Sequence, residues 1–443
     1  MKKTKRPLHA GMFGVARIVV FTVSVAVFFT LLGCSSLMMK PQRFDISEHG
    51  AVGDGRTLNT EAIQAVIDQC AKQGGGTLVI PKGEFISGAL FLKAGVNVEL
   101  LKGAVLKGST NINDYPKANT RIEGHFEPWR AALLNGDKVD HLRITGPGTL
   151  DGSGATFWRE FVRRIREDRK TTNLNVERPR LTFIQNSEDV QVSGVTFNNS
   201  GFWNLHLYRC RQVTVDNCRF QSPHGVPGPA PSSDGIDVDS SQDITISKCF
   251  FAVGDDCIAL KGSKGPFAMQ DKDSPPVERI HILDSIFEAG GGIVTAGSEA
   301  TIVRDVEVAR CTTRGPTVLR LKLRTDTPQQ YENIHLHDIT LDGAGVIFNV
   351  APWKQYFDLK GQPPPKSVVR NITISNVKGS GGSFGKILGN PDTEFGDIVV
   401  KDVDVKLKNA NFELSAFKGL KFDNVVVNGE PMPTPATAAS GSP

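Results

Sequence analysis

The sequence predicts an all-β protein, a single-domain right-handed parallel β-helix with an N-terminal capping helix. An eight-residue segment recurs with starts at residues 190, 213, 244, 280, 306, 334, 372, 398 and 420. All copies but Ile398-Val-Val open apolar–polar–apolar, as in Val213-Thr-Val and Ile244-Thr-Ile, which is the period of a strand with one buried face. A polar pair, often with Asn or Asp, then bends the chain before a second short apolar strand. Successive starts lie 22 to 38 residues apart, room for one coil of short strands and variable loops. No unit of that size buries its own apolar face, so the coils must stack into one core. Propeller blades would be longer and more uniform, and the fixed Leu/Asn frame of leucine-rich repeats is missing.

The first 33 residues differ in kind. Lys2, Lys3, Lys5 and Arg6 form a basic head, and Ile18 to Leu32 is an apolar to weakly polar run. It is too short for a comfortable membrane span and reads as a secretory signal. Leu31-Leu32-Gly33-Cys34, followed by Ser35, resembles a bacterial lipoprotein box, with Cys34 lipidated after cleavage. The expectation is export and membrane anchoring through lipid only, on the outer membrane or periplasmic side of a Gram-negative cell. Removing residues 1–33 takes away five of the 51 Lys and Arg and no acidic residue. The remainder holds 46 basic against 47 acidic residues, so the basic character belongs to the signal and no nucleic-acid partner is expected.

Residues 34–43 read as a tether and 44–428 as the β-helix domain. At its start, Asn59 and Thr60 precede the stripe Ile63, Val66, Ile67 and Cys70, which stops at Gly74-Gly-Gly76. That is an amphipathic helix covering the open end of the first coil. Glu160 to Arg178 is polar with some helical character and reads as an excursion from the coils. Residues 429–443 are rich in Pro, Ala and Ser and are expected to be disordered. Six cysteines follow Cys34, and Cys218, Cys249 and Cys311 occupy equivalent repeat positions. Buried free thiols are expected, a disulfide being the alternative, and no His/Cys cluster has metal-ligand spacing.

The chemistry concentrates in Ser233-Asp234-Gly235, Ile236-Asp237-Val238-Asp239, Gly254-Asp255-Asp256-Cys257 and Arg320-Leu321-Lys322. Stacking can bring these onto one wall. Asp255 and Asp256 are adjacent and would point oppositely in an extended strand, so a bend near Gly254 is required. Clustered carboxylates suit cleavage of a glycosidic bond: an acid protonates the leaving oxygen and a carboxylate activates water. An inverting enzyme keeps the two roughly 6.5–9.5 Å apart. Crowding raises a carboxyl pKa and keeps an acid protonated, while Arg and Lys nearby would hold a sugar carboxylate. Each motif alone is more often a turn or a solvated edge, and a calcium site is another use for clustered carboxylates.

Taken together these motifs resemble glycoside hydrolase family 28, the polygalacturonase family, over roughly Phe44 to the last coils. Gly50-Ala-Val-Gly-Asp-Gly55, Asn59-Thr60 and Gly74-Gly-Gly-Thr-Leu-Val-Ile-Pro81 look like the opening of its bacterial members. Ser232-Ser233-Asp234, Asp255-Asp256 and Arg320-Leu321-Lys322 match its three site motifs. The resemblance implies an inverting, cofactor-free hydrolase of α-galacturonosyl linkages in pectic polysaccharide, exo-acting or rhamnogalacturonan-directed, working as a monomer on an acidic plant-type chain. Asp255 would be the general acid, Asp234 and Asp256 would activate water, and Arg320 and Lys322 would bind the substrate carboxylate, with Ser233 and Lys261 also on the substrate. Two positions depart: Gly291 stands where the family has a His, and Ser232 where it has an Asn. His224 is a candidate to compensate, and Trp353 and Tyr356 are candidate sugar platforms or buried corners. The competing functions are a catalytically impaired glycan-binding relative and a calcium-dependent lyase.

Overall fold

The coils stack in the order the repeats dictate. The computed structural model describes residues 42–222, 230–355 and 357–436, and the signal, Cys34, His224 and Tyr356 lie outside them. All nine repeat starts pair in one continuous parallel ladder: Val190, Val213, Ile244, Ile280, Val306, Ile334, Ile372, Ile398, Leu420. The fifth residue of every repeat has a left-handed backbone, with φ between 51° and 77° at Gly194, Asn217, Lys248, Asp284, Arg310, Asp338, Asn376, Asp402 and Asn424. This is the bend, and it explains the run of Asn and Asp, whose short polar side chains tolerate that conformation best after glycine. Past the bend, Phe197, Phe220, Phe251 and Phe287 stack down the core with ring centroids 4.8, 5.0 and 4.9 Å apart. Burying each such aromatic contributes about 1.5–3 kcal/mol. Cys218, Cys249 and Cys311 sit at the turn beside them, and all six described cysteines are free and buried.

Four earlier rungs carry no legible repeat. The ladder runs back from Val192 through Ile144, Val98 and Leu78 to Phe44, in the first strand Arg43–Asp45. Insertions hide the period there. One is an antiparallel hairpin, Lys117–Ile122 with His125–Arg130. Another is the helix α2 introduced below. The capping helix α1, Thr60–Lys72, buries Ile63, Val66, Ile67 and Cys70 as expected. Asn59 does not cap it through its side chain; its amide instead joins Val52 to Thr57.

Two expected boundaries move. The excursion is helical over Gly154–Glu167 (α2), earlier than the polar stretch 160–178, because its anchoring residues are Phe157, Trp158 and Phe161. Trp158 is fully buried and donates to Ser200 O at 3.0 Å. At the other end, Glu430–Pro431 pairs antiparallel with Leu420–Val427, so order continues past residue 428. Asn428 and Gly429 both have positive φ, 56° and 86°, a two-residue Asn-Gly hairpin turn.

The sheet that bears the site contains Leu205–Tyr208, Ile236–Asp239, Ile258–Lys261, Gly292–Ala296, Thr317–Arg324 and Val346–Trp353, all parallel. Its outward rows are His206–Asp237–Ala259–Thr295–Arg320–Asn349 and Tyr208–Asp239–Lys261.

Candidate active site

Asp234 and Asp255 stand just before neighbouring strands of this sheet and line a cleft of about 310 Å³ with Lys261, Arg320 and Lys322. Gly254 lets Asp255 and Asp256 share it: a Cβ there would collide with the backbone of Ala230, so only glycine fits the bend. Ser233 ties the two loops together, donating to Ala230 O and accepting from Gly254 N, both at 2.9 Å. Its hydroxyl is fully buried and does not line the cleft, so the substrate-facing position expected for it falls to Ser232.

Asp256 lies beneath the other two, fully buried. Its Oδ1 accepts from Thr295 at 2.8 Å and Arg320 at 2.7 Å, and its Oδ2 from Lys322 at 2.7 Å. A carboxylate has about four acceptor sites, so one remains. Burial alone would raise its pKa, but Lys322 and Arg320 overcome that and hold it below the usual carboxylate range. Asp255 goes the other way, raised by burial and then by the charge of Asp256. Asp234 is raised well above the ordinary value by burial, then by Asp237 and Asp255, against Lys261. The cluster thus contains one fixed anion and two carboxyls that favour a proton.

One carboxylate oxygen from each of Asp234, Asp255 and Asp256 lies within 4.8 Å of the other two. The same three groups do not fit calcium. Arg320 and Lys322 already occupy Asp256, and Lys261 Nζ is 3.7 Å from Asp234, so positive charge is supplied by side chains.

At Gly291 a side chain would run into Arg320 Nη1 and Asp256 Oδ1. The guanidinium occupies the space that a His at this position would need, and supplies Asp256 with a charged N–H donor from there. Trp353 is half-buried and lines the cleft, with Lys322 Nζ 4.8 Å from its ring centroid. Lys261 is 3.5 Å from Asp237 and 3.7 Å from Glu299, and 4.6 Å from the Trp203 ring centroid.

Sequence reasoning missed Thr295, Glu123 and Glu299. Thr295 was accessible, being one rung from Arg320 in the same alternating row. Glu123 had no signal, since it arrives on the hairpin inserted between coils. The turn Glu123–Gly124 has φ of 41° and 81°, and a Cβ on Gly124 would lie 2.9 Å from both Glu299 Cβ and Gly262 O. The tip therefore sits down on the cleft edge. Burial and the charge of Glu299 push Glu123 up to about 7. Glu299 is held at about 2: burial opposes this, and Lys261 and Lys264 outweigh it.

The hairpin is fastened from below. Arg121 donates to Asp239 at 3.1 Å and to Ser263 at 3.2 Å, and Arg180 donates to Arg121 O at 2.8 Å. Phe126 meets Tyr208 edge-on at 5.7 Å. Under this cover the N-terminal part of the outward rows is sealed: His206, Tyr208, Asp237 and Asp239 are at most 1% exposed. Burial holds His206 down to about 4, so it is neutral.

Comparison with known proteins agrees with this geometry. Residues 70–423 match the model of the glycosyl hydrolases family 28. An exopolygalacturonase of Zea mays is 29% identical over 355 residues, 76% of this chain and 76% of its own length. An exo-poly-alpha-D-galacturonosidase of Dickeya chrysanthemi is 28% identical over 298 residues, 58% of this chain and 48% of its own. The crystal structure of a hyperthermoactive exopolygalacturonase from Thermotoga maritima superimposes with a TM-score of 0.71 at 26% identity, covering 88% of this chain and 93% of that one. With a family match spanning most of its coils, this chain belongs to glycosyl hydrolases family 28.

Proposed function

We propose that this protein is an exo-acting hydrolase of α-galacturonosyl linkages in acidic pectic polysaccharide. The observation that carries the reading is the opposed pair of neighbours, Asp255 disposed to hold a proton above Asp256 fixed as an anion, in a cleft sealed at one end. Asp255 gives its proton to the glycosidic oxygen as the bond to the anomeric carbon breaks. Water held by Asp234 and the remaining acceptor site of Asp256 attacks that carbon, and its proton passes to Asp256. Transfer from Asp256 to Asp255 restores the starting state. Arg320 and Lys322 sit where a substrate carboxylate can share them with Asp256, and Lys261 completes the polar wall. The family resemblance supports inversion.

The hairpin supports exo action, because a chain reaching Glu123 can go no further. Lipidation at Cys34, outer-membrane or periplasmic placement and action as a monomer belong to the same proposal, on the sequence alone. The test is release of reducing ends, with product sizing, from galacturonan oligomers by the native protein and by Asp255→Asn. Monomer or dimer released by the native protein alone is the expected result. Equal and negligible release by both would favour the glycan-binding alternative.

A further inference from the structure

The outward row of the site sheet does not end at Arg320. Arg320 pairs in register with Asn349, Asn349 with Lys386 and Lys386 with Glu413. These last three line an open depression of about 580 Å³, together with Asn411 and the half-buried ring of Phe412. Towards the N-terminal coils the same row is sealed beneath the hairpin. A polymer engaged at the site therefore has one open direction along this face, over the depression.

Its lining has the chemistry of a sugar acid site. The side chain of Lys386 is half-buried and makes no ion pair or hydrogen bond with any described residue, although Glu413 is its neighbour in register. Asn349 likewise has its side-chain amide unpartnered among the described residues. Lys386 stands two rungs beyond Arg320, about 10 Å at the usual strand spacing. Two cations so placed on one row match carboxylates that recur along a polyuronate. The edge of Phe412 borders the depression, while its ring packs against Phe348, Phe384 and Phe422.

We propose that this depression is a distal subsite for a second uronate of the bound chain. Lys386 pairs with its carboxylate, and Asn349 and Asn411 take its hydroxyls. The assignment rests on the polygalacturonase reading above for the identity of the chain.

Chain length separates this subsite from the catalytic centre. Galacturonate dimer cannot reach it from the cleft, whereas hexamer can. In Lys386→Ala the ratio of kcat/KM for hexamer to that for dimer should fall about fivefold, through KM, as expected for loss of one partly exposed ion pair. Glu413→Ala should move the ratio the opposite way. A ratio unchanged by Lys386→Ala, with both lengths equally affected or neither, would overturn the subsite. A second measurement keeps the two proposals apart: calorimetric binding of hexagalacturonate to Asp255→Asn, with and without Lys386→Ala. Weaker binding by a similar factor supports the subsite even where the native protein hydrolyses neither oligomer, an outcome that would count against the hydrolase reading alone. Equal binding by the two variants would leave the depression as a gap between splayed C-terminal coils.

Discussion

Arg320 Nη1 donates to Asp256 Oδ1 at 2.7 Å through the space that a side chain on Gly291 would fill. Glycine at 291 is thus coupled to the position of this guanidinium. Placing a larger residue at 291 should displace Arg320, the flexible partner, and leave Asp256 with two donors in place of three. Hydrogen bonds to charged groups contribute about 1.5–3 kcal/mol. Gly291→His is expected to lower kcat by about tenfold or more with little change in melting temperature. Wild-type activity in that variant would show that Arg320 and a His are interchangeable donors.

Asp255→Asn should reduce hydrolysis by about 10²–10⁴-fold, the usual contribution of a general acid, without unfolding the protein. The pH profile follows from the two shifts. Asp255 works protonated and its pKa is raised, so activity is retained as pH climbs through the ordinary carboxylate range and is lost above it. Asp256 works ionised and its pKa is depressed, so the acid limb falls below that range. An alkaline limb near pH 4, the ordinary value for Asp, would contradict the assignment of Asp255.

The Arg121–Asp239 pair is buried on both sides. Arg121→Ala leaves Asp239 charged and unpaired, at a cost of about 3–5 kcal/mol readable by denaturant titration. Burial opposes ionisation of Asp239, but Arg121 and His206 hold its pKa below the ordinary value. Its stabilisation is therefore present above about pH 3.9, the unfolded value, and fades as pH falls through the depressed one. The native protein should lose stability steeply at low pH, and the variant should lose less.

If the hairpin is the wall that stops the chain, replacing residues 118–129 by a short turn should open the cleft at both ends. Products from long galacturonan should then shift from monomer or dimer towards a ladder of intermediate sizes. An unchanged product distribution would mean that another element sets the mode of cleavage.

Three aspartates with an oxygen apiece inside 4.8 Å make the stereochemical outcome a direct question. The expected first product, followed by proton NMR before mutarotation, is the β-anomer. An α-anomer would instead assign one of the three aspartates as a nucleophile.

Periodicity made the coils after Val190 legible because each repeat meets the same demands: two inward apolar residues flanking an outward one, a left-handed bend and a small or apolar residue beyond it. The rungs from Phe44 to Ile144 bury apolar residues on the same ladder, but the insertions between them remove the regular spacing that reveals them. The Asn428-Gly429 turn was readable and was outweighed by the Pro-rich composition around it.

The sequence by itself determined the stacked architecture, the order of the acidic motifs and their convergence with Arg320 and Lys322. These depend on local alternation and on the register that burial of one face imposes. Only the tertiary structure decided which aspartate is a fixed anion and which favour a proton, since that depends on burial and on cations 64 and 66 residues away in the chain. It also decided that Ser233 faces its own backbone, that Arg320 fills the space beside Gly291, and that a hairpin brings Glu123 to the cleft. Each of these depends on what another coil places within a few ångströms, and no local pattern of residues encodes that.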